Sequence, residues 1–575
     1  LVVVIMLVNV GRVEGEEIDI KELFYDFFIE YITRDPEMMT RLGDLTSLEI
    51  EAQNHMLTDR SIEAILEEYS SYDLVLEELM AFDTADLSHQ DKLNRAILEW
   101  FLSDKIREKE FVYHKYAIDQ LWGVQVGLPD LMINNHKIES IKDADDYITR
   151  LGQFKRVFGQ VVEMTRLQKE KGIVPPTYII RTVKNQSSQF ISSKSKENPL
   201  YTNFVQKVEK LDLDDKQRQE LYHKVKTKIE NNVYPAYQIM INYLEEIDTQ
   251  QSIRAGVWEL PRGDEYYRYL LRHYTTTDLT PEEIHKFGLL EVKRIQKEIR
   301  KTVKEMDTDY SSPGWVVMSL ERNAYNSREK ILAKYQEIIR DVERKLPEMF
   351  DILPENRVSL APVPGFKEDS ISNYYSSPSF DGSHGGTFYV NLSYSHAPYR
   401  MPTLAYHETI PGHHIQRAIQ RENTDLPYFN RILSFTGYTE GWALYAEQLV
   451  GEYGFHQDLA VKLGYLRSEL FRASRLVIDT GIHYKQWSRV KANSYFREVN
   501  GYGNLSEINR YIVMPGQACA YKIGQLKILE LRKKAKTELG DKFDIKEFHN
   551  IVLQNGSLPL EILEKEVNRY IESKS

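Results

Sequence analysis

The sequence predicts a mainly α-helical protein with one small β element placed just ahead of its most chemically loaded motif. Three observations carry this. Apolar residues recur three and four apart over long tracts, the spacing of a helix face. Helix-start signals stand where those tracts begin. Arg357–Val363 alternates, and Gly386–Ser393 is rich in Thr, Phe, Tyr and Val, a strand-like change of character.

The first residues, LVVVIMLVNV, form an apolar run of the length of a signal-peptide core, with Val13 and Gly15 small enough for a cleavage site before Glu16. No basic segment precedes the run, so residues 1–15 read as a truncated signal peptide, and no lipobox cysteine comes after it. From Ile18 to about Leu244 the pattern is helical. In Ser61 to Phe82, Ser61 reads as an N-cap and Glu63 as an acid in the first turn. Val174-Pro175-Pro176 interrupts the pattern. Thr280-Pro281-Glu282-Glu283 opens a second long helix with a capping residue, a first-turn proline and two acids. Arg357–Val363 and Gly386–Ser393 read as short strands, and the polar, aromatic stretch between them as loop. Helix returns from Thr403. No repeat, low-complexity block or clean linker appears, so 16–575 is taken as one helical unit.

Composition removes several functions. The formal net charge is −12, from 74 Lys+Arg against 86 Asp+Glu. With no basic excess, nucleic-acid binding is disfavoured. No segment after the leader is long and apolar enough to span a bilayer. Cys519 is the only cysteine, which rules out an intrachain disulfide and a cysteine-based zinc site. No G-x-S-x-G elbow stands out, and GSHGGT lacks the lysine of a phosphate loop.

The chemistry concentrates in MPTLAYHETIPGHHIQRAIQ, Met401 to Gln420, where His407, Glu408, His413 and His414 fall within eight residues. Buried imidazoles and a carboxylate need partners, and a metal ion satisfies several at once. The usual zinc motif places histidines at i and i+4. Position 411 is proline instead. On a regular helix His413 would stand about 9 Å from His407 along the axis, and His414 about 10.5 Å. Pro411-Gly412 offers a kink or π-bulge that brings a histidine back. His413 and His414 therefore remain alternatives for the second ligand, with His413 favoured. Downstream, GYTEGWALYAE places Glu440 and Glu447 seven residues apart on one helix face. Glu440 is the expected third ligand and Glu447 the residue that orients a ligand histidine. Zinc held by two imidazoles and a carboxylate keeps an open position for water, with Glu408 as the base that takes its proton.

Four stretches then carry a family resemblance: YYSSPSFDGSHGGTFYVN, YHETIPGHHIQ, YTEGWALYAE and RYIVMPGQACAYKIG, supported by RLVIDTGIH and the ending FHNIVLQNGSLPLEIL. They resemble the bacterial family of unknown function numbered 885, of the HExxPGHH type, which is similar to the gluzincin metallopeptidases. The resemblance is specific over the C-terminal third to half and loose before it. It implies a large helical metallopeptidase-like fold with a deep cleft. It also implies zinc at His407, Glu440 and the His413–His414 pair, with Glu408 as base. By the same likeness, Thr387–Asn391 would pair with a peptide by strand addition, engaging Tyr389 and Asn391. Tyr521, Lys522 and Arg510 would bind an oxyanion or a substrate carboxylate. His483 and His384 would serve as transition-state donors.

The sequence thus supports a secreted or periplasmic zinc peptidase of carboxypeptidase or dipeptidase type, acting on a peptide substrate. Two other readings are a zinc hydrolase of another amide, such as an acylated amino acid or cell-wall fragment, and a non-catalytic peptide-binding protein of the same fold. Glu408 argues against the last, because a binding module needs no base beside its ligand histidine.

Overall fold

A computed structural model describes residues 19–248, 255–306, 312–363, 365, 368, 372–382 and 384–574. The expected leader, 1–15, lies outside the described residues. The fold is mainly helical, with a three-stranded sheet just before the motif-bearing helices.

The start signals act as expected. The Ser61 hydroxyl accepts from the Ala64 amide and opens helix Ile62–Ala81. Thr280 and Glu283 form a reciprocal capping box at the start of Pro281–Glu305, with Pro281 at the first position. The helix runs 25 residues, its buried face formed by residues such as Ile284, Val292, Ile295 and Ile299.

The sheet contains β1 (Ser359–Pro362), β2 (Tyr374–Ser376) and β3 (Thr387–Val390) in the order β1-β3-β2. β3 runs parallel to β1 and antiparallel to β2. β2 falls in the stretch read from sequence as loop. Its three residues are too few for a two-residue alternation to register, and only pairing of Tyr374 against Tyr389 fixes it. Because β3 is flanked on both sides, it has no free edge for a peptide. The expected strand addition on Thr387–Asn391 is corrected accordingly.

One large core joins the two ends of the chain. Helix Ile20–Thr33 sets Phe24 against Phe429, ring centroids 5.2 Å apart, and buries Phe28 completely. Removing such a ring costs roughly 3–5 kcal/mol. A second core runs through the helices between Val124 and Asp248. Near the site, helices Thr436–Val450 and Gln517–Leu539 cross with almost no gap. A Cβ on Gly524 would lie 1.8 Å from the Gly437 carbonyl oxygen, and one on Gly441 would lie 2.5 Å from the Gly524 backbone. Two glycines therefore set how deeply Glu440 sits.

Candidate functional site

The site begins with a break in a helix. Met401–Glu408 ends at Glu408, and a new helix, His413–Glu422, starts after four intervening residues. The kink expected at Pro411-Gly412 is therefore a complete interruption, and the turn holds a cis Ile410–Pro411 bond. The turn is tight. A Cβ on Gly412 would lie 2.0 Å from the His407 carbonyl oxygen, so only glycine fits. Trp442 Nε1 donates to the Pro411 carbonyl at 2.9 Å, which fixes the turn to the 436–450 helix. The doubling-back brings the His407 and His413 rings to a centroid distance of 4.8 Å. A straight helix would hold them about twice as far apart.

Glu440 completes the group. Its Oε2 lies 3.5 Å from His407 Nε2 and 3.5 Å from His413 Nε2. One ligand atom from each of the three residues falls within 4.8 Å of the others. Glu440 Oε2 is buried without a hydrogen-bond partner, since 3.5 Å is too long for a good bond. A tetrahedral ion with bonds of about 2.05 Å holds neighbouring ligand atoms about 3.3 Å apart. Two imidazole nitrogens and an orphaned carboxylate oxygen at that spacing fit such an ion. They fit a direct hydrogen-bond network poorly.

Glu447 sits two turns further along the same helix. The His407 Nδ1–H donates to its Oε1 at 2.8 Å. This fixes the tautomer and leaves the Nε2 lone pair aimed at Glu440 and His413. Burial alone would push the His407 imidazole down. The adjacent carboxylates of Glu440 and Glu447 outweigh it and bring its pKa up to about 10. Burial would likewise raise Glu440, but His407 and His413 hold its carboxyl well below the usual range. Burial raises the Glu408 carboxyl, which moves it towards the range of a working general base.

A cavity of about 710 Å³ opens onto His407 and Glu408. Tyr521 and Arg510, both expected from sequence, line it as well. Arg510 Nη2 donates to the Tyr521 hydroxyl at 3.2 Å.

Other expected residues lie elsewhere. His414 donates from Nε2 to the Asn356 carbonyl at 2.8 Å, and its Nδ1 accepts from the Tyr375 hydroxyl at 3.0 Å. With both nitrogens committed, it stands outside the cluster. His483 is fully buried; it donates to the Tyr511 carbonyl and accepts from the Val257 amide. Its expected role as a donor to substrate is corrected, because neither nitrogen is free. Lys522 is corrected for a similar reason: its ammonium is buried on Glu469, Gln525 and Glu291 at 2.7, 2.8 and 2.9 Å. Tyr389 stacks on Tyr374 at 4.8 Å, and the Asn391 side chain donates to the Glu368 carbonyl and accepts from the Ser393 amide. His384 is exposed on the loop before β3. Sequence reading passed over Arg472, although it reaches to 3.9 Å from Glu447 and lines the cavity. The only signal was RASR in helix Leu459–His483, which also reads as a solvated face.

Fold and site together define a mainly helical protein with a buried His–His–Glu group at the wall of a cleft. The chain belongs to the family described as bacterial protein of unknown function, DUF885, which matches residues 36–567. Among solved structures it is similar to a candidate lipoprotein from Colwellia psychrerythraea. That match has 31% identity and a TM-score of 0.93, covering 96% of this chain and 99% of the other. It shares its fold with a candidate lipoprotein of unknown function from Shewanella oneidensis, at 15% identity and a TM-score of 0.71, covering 94% and 98% of the two chains. A candidate oligoendopeptidase F from Bacillus anthracis str. Ames matches with a TM-score of only 0.29, too low to carry an argument. No curated protein matches the chain. Among the described residues, no helix is long and apolar enough to cross a membrane.

Proposed function

We propose that this protein is a zinc-dependent hydrolase of peptide bonds. The observation that carries the reading is the His407–His413–Glu440 group, its ligand atoms spaced for one tetrahedral ion, with Glu447 behind His407 and Glu408 beside it. Two imidazoles and one carboxylate are a catalytic rather than a structural ligand set, because they leave a position open. When bound, zinc supplies Lewis-acid polarisation of a carbonyl and lowers the pKa of water.

The chain's own residues do the rest. Glu408, on the cavity wall next to His407, accepts a proton from the attacking water and returns it to the departing amine. Glu447 holds His407 in one tautomer through the cycle. Tyr521 offers a hydroxyl donor where negative charge develops on the carbonyl oxygen. Similarity to candidate lipoproteins supports a place of action outside the cytoplasm.

The test is elemental analysis of purified protein with His407→Ala and Glu440→Ala, then a peptide screen with Glu408→Gln as the inactive control. About one zinc per chain in the parent and none in either variant is expected. Failure of the parent to take up zinc would overturn the proposal.

A further inference from the structure

The cavity wall carries a charge pattern opposite to that of the whole chain. Six arginines and four glutamates line it, with no lysine or aspartate, in a protein of net charge −12. Three of the arginines converge. Arg472 and Arg475 stand three residues apart on helix Leu459–His483, and Arg510 lies on helix Leu505–Val513.

They are under-neutralised. Glu507 serves two of them, at 3.2 Å from Arg475 and 3.8 Å from Arg510. The carboxylate nearest Arg472 is Glu447, at 3.9 Å, and it is already engaged by His407. The Arg475 side chain is 5% exposed. Its guanidinium is held between the rings of Phe471 and Tyr521, at 4.4 and 4.6 Å. Among the described residues, the buried Nε atoms of Arg472 and Arg475 have no hydrogen-bond partner. A buried donor on a fixed cation is costly unless something completes it. A guanidinium fork matches a carboxylate with two parallel bonds.

We infer that Arg472, Arg475 and Arg510 form a subsite for the free α-carboxylate at the C-terminus of a peptide. The inference rests on the hydrolase reading for the step after binding. Arg472 contacts the residue that supports His407, and Arg475 lies about 4.5 Å further along the helix axis. One extended residue spans about 3.5 Å. The carboxylate is therefore anchored within a residue or two of the bond presented to Glu408. Water adds across that C–N bond, giving a shortened peptide carboxylate and a released C-terminal amine fragment. A side-chain carboxylate shares the same chemistry. A chain end is taken as the occupant because the Arg475 side chain is only 5% exposed, and the side-chain carboxylate is an outcome of the test.

The experiment measures binding to zinc-loaded, full-length Glu408→Gln protein by fluorescence anisotropy. Three dansyl peptides serve as probes: Gly-Ala-Phe as free acid, the same peptide as C-terminal amide, and Gly-Glu-Phe amide. The free acid is expected to bind about tenfold or more tighter than either amide, as for a charge-assisted pair lost. Arg510→Gln, at a partly exposed position, and Arg475→Gln should each remove that advantage of acid over amide. Equal binding of acid and Gly-Ala-Phe amide would overturn the subsite. Tight binding of Gly-Glu-Phe amide would overturn the terminal assignment. Active parent protein separates the two readings: binding of the acid without cleavage sinks the hydrolase but leaves the subsite standing. Cleavage of acid and amide alike does the reverse.

Discussion

Two buried charged groups flank helix Leu459–His483, and they differ in one respect. Around Lys522, all three ammonium protons have acceptors in Glu469, Gln525 and Glu291. Around Glu440, two imidazole nitrogens and a carboxylate oxygen face one another at 3.5 Å, and the oxygen accepts no hydrogen bond. Both groups draw on residue types that look functional in sequence. The first already holds its cation, the Lys522 ammonium, although Glu469 Oε2 accepts no hydrogen bond. The second is arranged around a centre that the protein itself does not fill. A cation already in place, rather than the residue types or a single orphaned oxygen, separates the two groups.

The largest expected effect tests the adjacent histidines. His413→Ala should abolish zinc binding, whereas His414→Ala should retain about one ion per chain. Metal lost in both, or only in the second, would reverse the ligand assignment. Next, Lys522→Ala should destabilise the fold by about 1–3 kcal/mol, because Glu469 and Glu291 lose their buried partner and keep only Arg294. Folded Lys522→Ala protein should still bind zinc. Denaturant titration beside metal analysis reads both properties, and a stable variant that cannot hold zinc would erase the contrast.

Acid should separate the histidines by environment. Burial pushes His483 and His549 down to about 3, and His136 and His456 to about 4. Their folded values lie below the unfolded value of about 6.5. Their contribution is therefore complete above that pH and is lost as pH falls towards 4, at on the order of 1 kcal/mol per group per unit. Denaturant midpoints at pH 7.5, 6 and 5 should fall in that order, and a flat series would contradict the assignment. The smallest effect belongs to Glu447→Gln. It should weaken zinc binding by about 10- to 100-fold while the fold persists, read by competition with a chromophoric chelator. Unchanged affinity would remove Glu447 from the site.

Much of this was legible in advance. Ser61 and Thr280 open the helices they were expected to open, because capping is a local bond between near neighbours. The HExxPGHH spacing and the GYTEGWALYAE face named His407, Glu408, His413, Glu440 and Glu447. The Pro-Gly pair announced the break that joins two of them. Less legible was β2, whose pairing partner lies well along the chain. The burial of His483 and Lys522 was equally hidden. A histidine or lysine carries no sign of whether distant segments will surround it with partners or with a cavity. Arg472 and Arg475 were hidden for the converse reason, since arginines in helices usually face water.

The sequence by itself determined the helical class, the family and the identity of the atoms able to hold an ion, since these depend on short spacings and side-chain chemistry. Tertiary structure alone decided which of two adjacent histidines turns inward. It did so through a glycine that lets residue 412 press against the His407 carbonyl, and through a Tyr375–Asn356 pair that occupies His414. Helix packing also decided that Arg475 and Arg510 share the single carboxylate of Glu507 on the cavity wall, a balance of charge that no local stretch of the chain contains.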